Sequence, residues 1–251
     1  MEEDIIKWQG YEWLNRERWG RVHPGKPDAW NDPSAVKIDD DGFLRLYTHK
    51  NTKIFHDEKG EEVISNVGIG LVSCTNEFSY GLFEIEAKLP KGPYVWPAFW
   101  CWSFDSWPPE IDMIEGYSNK RGSYFNWTYE ALIGKWWKVE SNIHLKEKVK
   151  KSKSAGDDVN RTWNLGGKPG WLGFKSPSKR FNKYGLLWTP TEISILFNGK
   201  KVRTIKDPNV MKQMENVKMN IIINNSIQSD YLKTDMPTSE MIIKNFKYKK
   251  L

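Results

Sequence analysis

Three acidic residues, Glu110, Asp112 and Glu115, stand within six consecutive positions whose other members are apolar. The apolar and partly β-branched context is typical of a β-strand, in which successive side chains point to opposite faces. Glu110 and Asp112 therefore share a face, and strict alternation would turn Glu115 away from them. One extra residue at positions 113–114, a β-bulge, would return Glu115 to that face. The sequence thus predicts a bulged strand with three carboxylates on one side.

Two carboxyl groups held in this way could hydrolyse a glycosidic bond. Retaining glycosidases place a nucleophile and an acid/base about 5–5.5 Å apart, and the two ends of a bulged segment can supply that spacing. A bare acidic triplet is otherwise explained by a charged, solvated strand face or by a metal site. The surroundings favour the glycosidase, because the strand before the acids, residues 96–102, reads Trp-Pro-Ala-Phe-Trp-Cys-Trp.

The chain contains 14 Trp in 251 residues, more than a core alone would be expected to hold. Exposed Trp and Tyr rings are natural platforms for the apolar faces of sugars, and a tight aromatic core is the alternative. The net charge of +6 and the pI near 9.0 could favour an anionic partner. Enzymes that act on neutral substrates are equally basic, however, so charge alone does not choose a partner.

The length suits one large domain with a full core, and no internal repeat or linker divides residues 1–251. Cys74 and Cys101 could form one bridge or remain two buried thiols. Residues 1–4, Met-Glu-Glu-Asp, lack the basic and apolar regions of a signal peptide. The protein is therefore expected to be intracellular, or secreted or periplasmic with its signal removed. No apolar run approaches transmembrane length, so no membrane partner is expected.

Short strands separated by turn signals, with almost no helix, predict an all-β sandwich. Asn198-Gly199 is typical of a type I′ hairpin, and Asp207-Pro208 is typical of a helix start. An irregular leading segment is expected at residues 8–35. The predicted strands cover residues 36–38, 43–47, 63–73, 83–89, 96–102, 110–115, 184–188, 193–197, 201–205, 219–225 and 241–248, with a short helix at 208–216.

Residues 119–180 are rich in Lys, Gly, Ser and Trp and show no sustained period, which predicts a long loop. A run of basic residues is usually a solvated loop. The functional alternative is that this loop forms a basic, aromatic wall of a cleft, in which Trp163, Trp171 and Lys175 would contact a polymer.

The order of these motifs resembles glycoside hydrolase family 16, the group of laminarinases, agarases and carrageenases. The resemblance covers most of the chain and implies a concanavalin-like jelly-roll β-sandwich with a concave substrate cleft. The motifs that carry it are the segments 41–46, 80–84, 88–90, 96–100, 110–115, 184, 188–190, 198–199 and 219–224.

The resemblance also implies roles for the acids. Glu110 would be the nucleophile, Glu115 the general acid/base, and Asp112 the partner that hydrogen-bonds the nucleophile and tunes its charge. Glu115 must hold a proton, and nearby negative charge raises its pKa. Further substrate-binding candidates are Trp96 as a sugar platform, with Trp188 and Asn224 lining the same cleft; a core position is the equal alternative for Trp188.

Three positions depart from the family pattern. Many members have a His past the acid/base, where Asn126 is expected here, and Glu86 replaces a frequent Arg. Lys244 stands where an Asp commonly helps to bind a structural calcium, and because an ammonium opposes a cation, no metal or cofactor is predicted. The four histidines show no ligand spacing and are interpreted as structural or exposed: His23, His49, His56 and His144.

The leading prediction is a retaining endo-β-glycanase, a monomer whose partner is a polysaccharide. Within the family the unbulged motif marks lichenases and xyloglucan-active enzymes, whereas β-1,3-glucanases and galactan-cleaving enzymes share the bulged motif. Because glucan-active members are the more frequent, the resemblance implies β-1,3-glucan or mixed β-1,3/1,4-glucan as the expected substrate. A galactan of the agar, porphyran or carrageenan type, or another anionic glycan, is the alternative, suggested by the basic residues between 146 and 180. A non-catalytic carbohydrate-binding jelly roll is the alternative of another class. Binding of nucleic acid through the lysine-rich loop rests on composition alone and is not expected.

Overall fold

The computed structural model describes residues 4–18, 20–23, 26–56, 60–103, 105–120, 122, 124, 138–147, 161–164, 177–235 and 238–251. Within these ranges there are seventeen strands and one α-helix, α1 (Pro208–Gln213). The strands are β1 (Ile5–Trp8), β2 (Tyr11–Leu14), β3 (Val22–His23), β4 (Lys26–Asn31), β5 (Val36–Ile38), β6 (Leu44–His56), β7 (Glu62–Cys74), β8 (Gly81–Lys88), β9 (Val95–Ser103), β10 (Glu110–Glu115), β11 (Lys138–His144), β12 (Arg161–Asn164), β13 (Asn182–Thr189), β14 (Glu192–Phe197), β15 (Lys200–Ile205), β16 (Met219–Ile227) and β17 (Thr238–Lys249).

The strands pair into two sheets. The cleft sheet has the order β1-β2-β7-β16-β9-β10-β11-β12, and all of its pairs are antiparallel. The outer sheet has the order β3-β4-β7-β6-β17-β8-β13-β14-β15, with β5 beside the start of β6. Strand β7 belongs to both sheets, because its first part pairs with β6 and its last part with β16 and β2.

The core lies between the two sheets and follows the two-residue period of their strands. On the cleft sheet, Phe99 and Ile111 point inward and are fully or almost fully buried. Phe83 and Ile85 of the outer sheet belong to the same hydrophobic cluster. Polar contacts also cross this core. Asn225 of β16, for example, donates its side-chain amide to the backbone carbonyl of Leu46 in β6.

The local signals in the second half of the chain are confirmed. Asn198 and Gly199 have φ values of 48° and 78°, as a type I′ hairpin between β14 and β15 requires. Asp207 caps α1, because its carboxylate accepts a hydrogen bond of 2.9 Å from the backbone N–H of Asn209. Cys74 and Cys101 are two buried free thiols. None of the described helices is both long enough and apolar enough to span a membrane.

Two regions predicted to be irregular contain strands. The leading segment forms the hairpin β1–β2 around Gln9 and Gly10, whose φ values of 51° and 80° make a tight turn. Because Gln rarely adopts positive φ, this turn is not predicted from the amino-acid sequence. In the predicted 119–180 loop, β11 joins the cleft sheet beside β10 and β12 follows it. The alternation of β11 is obscured because a polar residue, Ser141, occupies a core position.

Two of the departures from the family pattern face each other across the outer sheet. The ammonium of Lys244 lies 3.5 Å from the carboxylate of Glu86. Position 244 therefore contributes a cation that is already paired with an acid, and these residues do not fit the structural calcium site that the family resemblance implies.

Candidate active site

A cavity of about 510 Å³ opens on the cleft sheet. Its walls come from β4, β7, β9, β10, β11 and β16, from the loop after β2 and from the segments on either side of β10. The described residues that line it are Glu17, Ala29, Asn31, Ile69, Leu71, Trp96, Ala98, Trp100, Trp107, Glu110, Asp112, Glu115, Tyr117, Asn142, His144, Asn224 and Ser226.

The predicted bulge is present in β10 and brings the three acids to this cavity. Asp112 pairs with Trp100 of β9, and Ile114 pairs with the next residue, Phe99, so Met113 is the extra residue. Glu115 then lies opposite Ala98, which lines the cavity. Because residues directly opposite each other in a sheet share a face, Glu115 returns to the face of Asp112. Met113 and Ile114 are both fully buried in the core.

Two neutral donors hold Glu115. The Tyr117 hydroxyl donates a hydrogen bond of 2.8 Å to Oε1, and the side-chain amide of Asn142 in β11 donates to Oε2. Burial raises the pKa of the Glu115 carboxyl above its usual range, and the Glu110 carboxylate adds to the rise. The two donors act in the opposite direction, because they stabilise the ionised form. Glu115 is thus a mostly buried acid with a fixed orientation.

Glu110 and Asp112 form a second group with His144 of β11. The His144 Nε2 atom lies 3.3 Å from Asp112 Oδ2 and 3.6 Å from Glu110 Oε1. Burial raises the pKa of Glu110 to about 8, and the adjacent Asp112 carboxylate adds to the rise. Burial also raises the pKa of Asp112 to about 6, against the lowering effect of its hydrogen bond with His144. The indole of Trp107 donates a hydrogen bond of 2.7 Å to Glu110 Oε2.

The same group has the composition of a metal site. One donor atom each from Glu110, Asp112 and His144 lies within 4.8 Å of the others. One imidazole nitrogen and two carboxylate oxygens could coordinate a divalent cation such as Zn²⁺. The approach of His144 to both acids and the hydrogen bond from Trp107 to Glu110 also account for the proximity of these side chains.

Two of the predicted substrate-binding residues lie in the cavity. The Trp96 ring packs against the Tyr117 ring, with centroids 4.9 Å apart and planes 33° from parallel. The Asn224 side chain accepts a hydrogen bond of 2.8 Å from the indole of Trp100. Both Trp96 and Asn224 therefore have defined orientations beside the acids.

The prediction that Trp188 lines the cleft is wrong. Trp188 lies on β13 of the outer sheet, is 1% exposed, and packs against Tyr80 at a centroid distance of 5.1 Å. Its position in the strand period points it into the core instead of the cavity. Asn126 and Trp171 lie outside the described residues, as does the side chain of Trp163, whose backbone belongs to β12.

His144, Asn142, Trp107 and Tyr117 are site residues that the sequence did not single out. The interpretation of His144 as structural or exposed is wrong, because the pairing of β11 with β10 places it opposite Glu110. The sequence does contain a signal for these residues: Asn142 and His144 are separated by the apolar and buried Ile143, and this alternation is typical of a strand with one polar face.

The chain is similar in sequence to known glycosyl hydrolases. The family model for glycosyl hydrolases family 16 matches residues 28–241. The endo-1,3-1,4-beta-glycanase EglC of Rhizobium meliloti (strain 1021) is 26% identical over 202 residues, which are 79% of this chain. The matched region spans only 36% of that relative's length.

Solved structures show the same fold at low identity. The catalytic domain of an endo-1,3-beta-glucanase (laminarinase) from Thermotoga petrophila RKU-1 has a TM-score of 0.66 at 18% identity, over 89% of this chain and 83% of that one. A chain described with endo-acting O-glycanases of prominent members of the human gut microbiota has a TM-score of 0.69 at 19% identity, over 98% and 87% of the two chains. The fold is a jelly-roll β-sandwich, as predicted.

Proposed function

The chain belongs to glycosyl hydrolases family 16, a family of retaining glycoside hydrolases, and we propose that it is an endo-β-glycanase that cleaves a polysaccharide. The observation that carries the proposal is the bulge in β10, which sets Glu110, Asp112 and Glu115 on one wall of an aromatic cavity. A protein that only bound sugar would have no use for three buried acids of like charge, since their proximity opposes ionisation.

We assign the nucleophile to Glu110 and the acid/base to Glu115. The nucleophile must be ionised, although burial raises the pKa of Glu110 to about 8. Asp112 tunes this ionisation, because its carboxylate raises the pKa of Glu110 while it is ionised and no longer does so once it is protonated. His144 and the Trp107 indole lower the pKa of Glu110 and so favour its ionised form. In this assignment the charge state of Asp112 and the contacts of His144 and Trp107 together set the pH at which Glu110 can attack.

The reaction then follows a double displacement. A sugar ring stacks on Trp96, and ionised Glu110 attacks its anomeric carbon while protonated Glu115 transfers its proton to the leaving oxygen. A covalent glycosyl-enzyme results. Ionised Glu115 next removes a proton from water, which attacks the same carbon, releases Glu110 and retains the configuration. Tyr117 and Asn142 stabilise Glu115 in its ionised form between the two steps.

We propose a neutral β-1,3-glucan or mixed β-1,3/1,4-glucan as the substrate. Among the described residues that line the cavity there are four acids, Glu17 and the three of β10, and neither Lys nor Arg. Such a surface repels sulfate and carboxylate groups, so it favours a neutral glycan over an anionic galactan. The names of EglC and of the Thermotoga laminarinase, which refer to β-1,3- and β-1,3-1,4-linked glycans, support the same choice.

A panel of glycans tests this function. Laminarin, lichenan, agarose, porphyran and carrageenan are each incubated with the protein, and new reducing ends are measured. We expect oligosaccharides from laminarin or lichenan, and little effect of salt on the rate. Glu115→Gln should lower turnover by about 10²–10⁴-fold, because general acid catalysis is lost, and Glu110→Gln should lower it at least as far. Wild-type turnover by both variants would refute the proposal. Binding without any product would indicate a carbohydrate-binding protein.

A further inference from the structure

An arginine is buried in the core on the side opposite the cleft. Arg203 belongs to β15 of the outer sheet and is 8% exposed, and the neighbouring core position, Ile205, is fully buried. A buried guanidinium is costly unless hydrogen bonds compensate its charge. A charged residue at a core position therefore calls for a specific explanation.

One partner of Arg203 lies in the cleft sheet. Its Nη1 atom donates to the backbone carbonyl of Ser141 in β11, and it lies 3.1 Å from the hydroxyl oxygen of the same residue. Ser141 is fully buried. Because β15 and β11 belong to different sheets, this contact joins the outer sheet to the strand that carries Asn142 and His144.

Ser141 stands at a particular point of the ladder. In the pairing of β10 with β11, Asp112 lies opposite Asn142 and Glu115 lies opposite Glu140. The two residues of the bulge, 113 and 114, therefore face Ser141 alone. A bulge interrupts the ladder and leaves backbone groups that need another partner. Arg203 supplies a charged donor to the Ser141 carbonyl at this interruption.

We propose that Arg203 is a positioning residue, which holds β11 at the bulge and thereby fixes the orientation and the pKa of Glu115. The path is short: Arg203 holds Ser141, the next residue is Asn142, and the Asn142 amide donates to Glu115. Its importance for catalysis rests on the proposed function. Its effect on Glu115 can be measured without any substrate.

The first readout is the titration of the Glu115 side chain. Protein labelled with ¹³C at the glutamate carboxyl carbon is titrated by NMR, and Glu115→Gln identifies the signal. Arg203→Met should raise the pKa of Glu115 by about 0.5 unit or more, because a displaced Asn142 donates less well to the ionised carboxylate. Arg203→Lys keeps a charged donor, so the pKa of Glu115 in this variant should lie between those of Arg203→Met and the wild type. Lys200→Met, an exposed change on the same strand, should leave the titration unaltered.

A double-mutant cycle separates this path from general loosening of the fold. Asn142→Ala alone should raise the pKa of Glu115, and adding Arg203→Met should then have little further effect, because both act through the same hydrogen bond. Additive shifts would contradict the proposal. If Arg203→Met does not fold, Arg203→Lys replaces it in the same cycle, with the same criterion.

The second readout is turnover on the glycan that the panel identifies. We expect Arg203→Met to lower kcat by about 10-fold or more with little change in KM, since the sugar platform is distant from β15. The basic limb of the pH profile should move to higher pH together with the pKa of Glu115. A folded Arg203→Met protein with wild-type Glu115 titration would overturn the inference. If the pKa of Glu115 shifts as predicted in the double-mutant cycle but the protein cleaves no glycan, the proposed function alone is overturned.

Discussion

At the scale of single residues, the three acids divide into two groups with different partners. Glu115 accepts hydrogen bonds from two neutral donors, whereas Glu110 and Asp112 share His144. The two groups are expected to control different limbs of the pH profile. Ionisation of the Glu110–Asp112 pair sets the acid limb, and loss of the Glu115 proton sets the basic limb.

His144→Gln should move the acid limb to higher pH. His144 lowers the pKa of both Glu110 and Asp112, so its removal raises the pH at which this pair ionises. We expect the acid limb of the pH profile of kcat/KM to rise by about 0.5–1 unit. The basic limb should rise less, because His144 makes only a minor contribution to lowering the pKa of Glu115. The exposed His56→Gln serves as the matched control. An acid limb that stays at its wild-type pH in His144→Gln would contradict the assignment.

Tyr117→Phe should affect the basic limb of the pH profile. The variant keeps the ring that packs on Trp96 but removes the hydroxyl that donates to Glu115. Because that donor lowers the pKa of Glu115, the basic limb should move to higher pH by about one unit. The pH profile of kcat/KM checks this, and a downward shift of the basic limb would exclude Glu115 as the group that is titrated there.

At the scale of strands, β10 depends on a single extra residue. Met113 has no partner in β9, and the residues on either side of it alternate regularly between cavity and core. Removing Met113 would therefore leave the order acid, Ile, acid, Ile, acid, in which all three acids still share one face. The bulge changes the curvature and spacing of the strand more than the direction in which Glu115 points.

Deletion of Met113 should accordingly keep Glu115 in the cavity. We expect the variant to be destabilised by about 2–5 kcal/mol, because a buried side chain is lost. It should nevertheless turn over at least 10-fold faster than Glu115→Gln, since the acid remains present. Chemical denaturation and reducing-end assays measure the two effects. A folded deletion variant no more active than Glu115→Gln would show that the extra residue itself orients Glu115.

The strands also show where sequence reasoning succeeds. Strand β10 and its bulge could be predicted because their alternation is local, and α1 could be predicted from the Asp207 cap. Strand β11 could not, since its place beside β10 follows a long intervening segment and its core position at Ser141 is polar. For Trp188 the sequence leaves cleft and core as equal alternatives, because a large aromatic residue suits either side of a sheet, and only the pairing of β13 decides between them.

At the scale of the whole molecule, the acids make the fold less stable at high pH. The pKa of Glu110 is raised to about 8 in the folded protein, whereas an unfolded Glu has a pKa near 4.3. Between these values the folded state binds more protons than the unfolded state, so the free energy of unfolding falls as pH rises. The contribution is complete below about pH 4 and is lost above about pH 8.

Glu110→Gln should therefore stabilise the protein at pH 9 and have little effect at pH 4. A gain of about 1 kcal/mol corresponds to a rise of about 2–4 °C in Tm for a chain of this length. Thermal unfolding at the two pH values, with the exposed Glu62→Gln as control, measures the difference. An equal effect of Glu110→Gln at both pH values would mean that the carboxyl is not destabilised by its burial.

The central claim is that Glu110 attacks the sugar and that Glu115 faces it as the acid/base. Trapping of the covalent intermediate tests this most directly. The protein is incubated with an activated 2-deoxy-2-fluoro glycoside of the oligosaccharide that it cleaves, and the labelled peptide is sequenced by mass spectrometry. The account predicts one sugar per chain, attached to Glu110, and slow release of that sugar in Glu115→Gln. A label on Glu115 or Asp112, or turnover without a trapped intermediate and with inverted configuration, would contradict it.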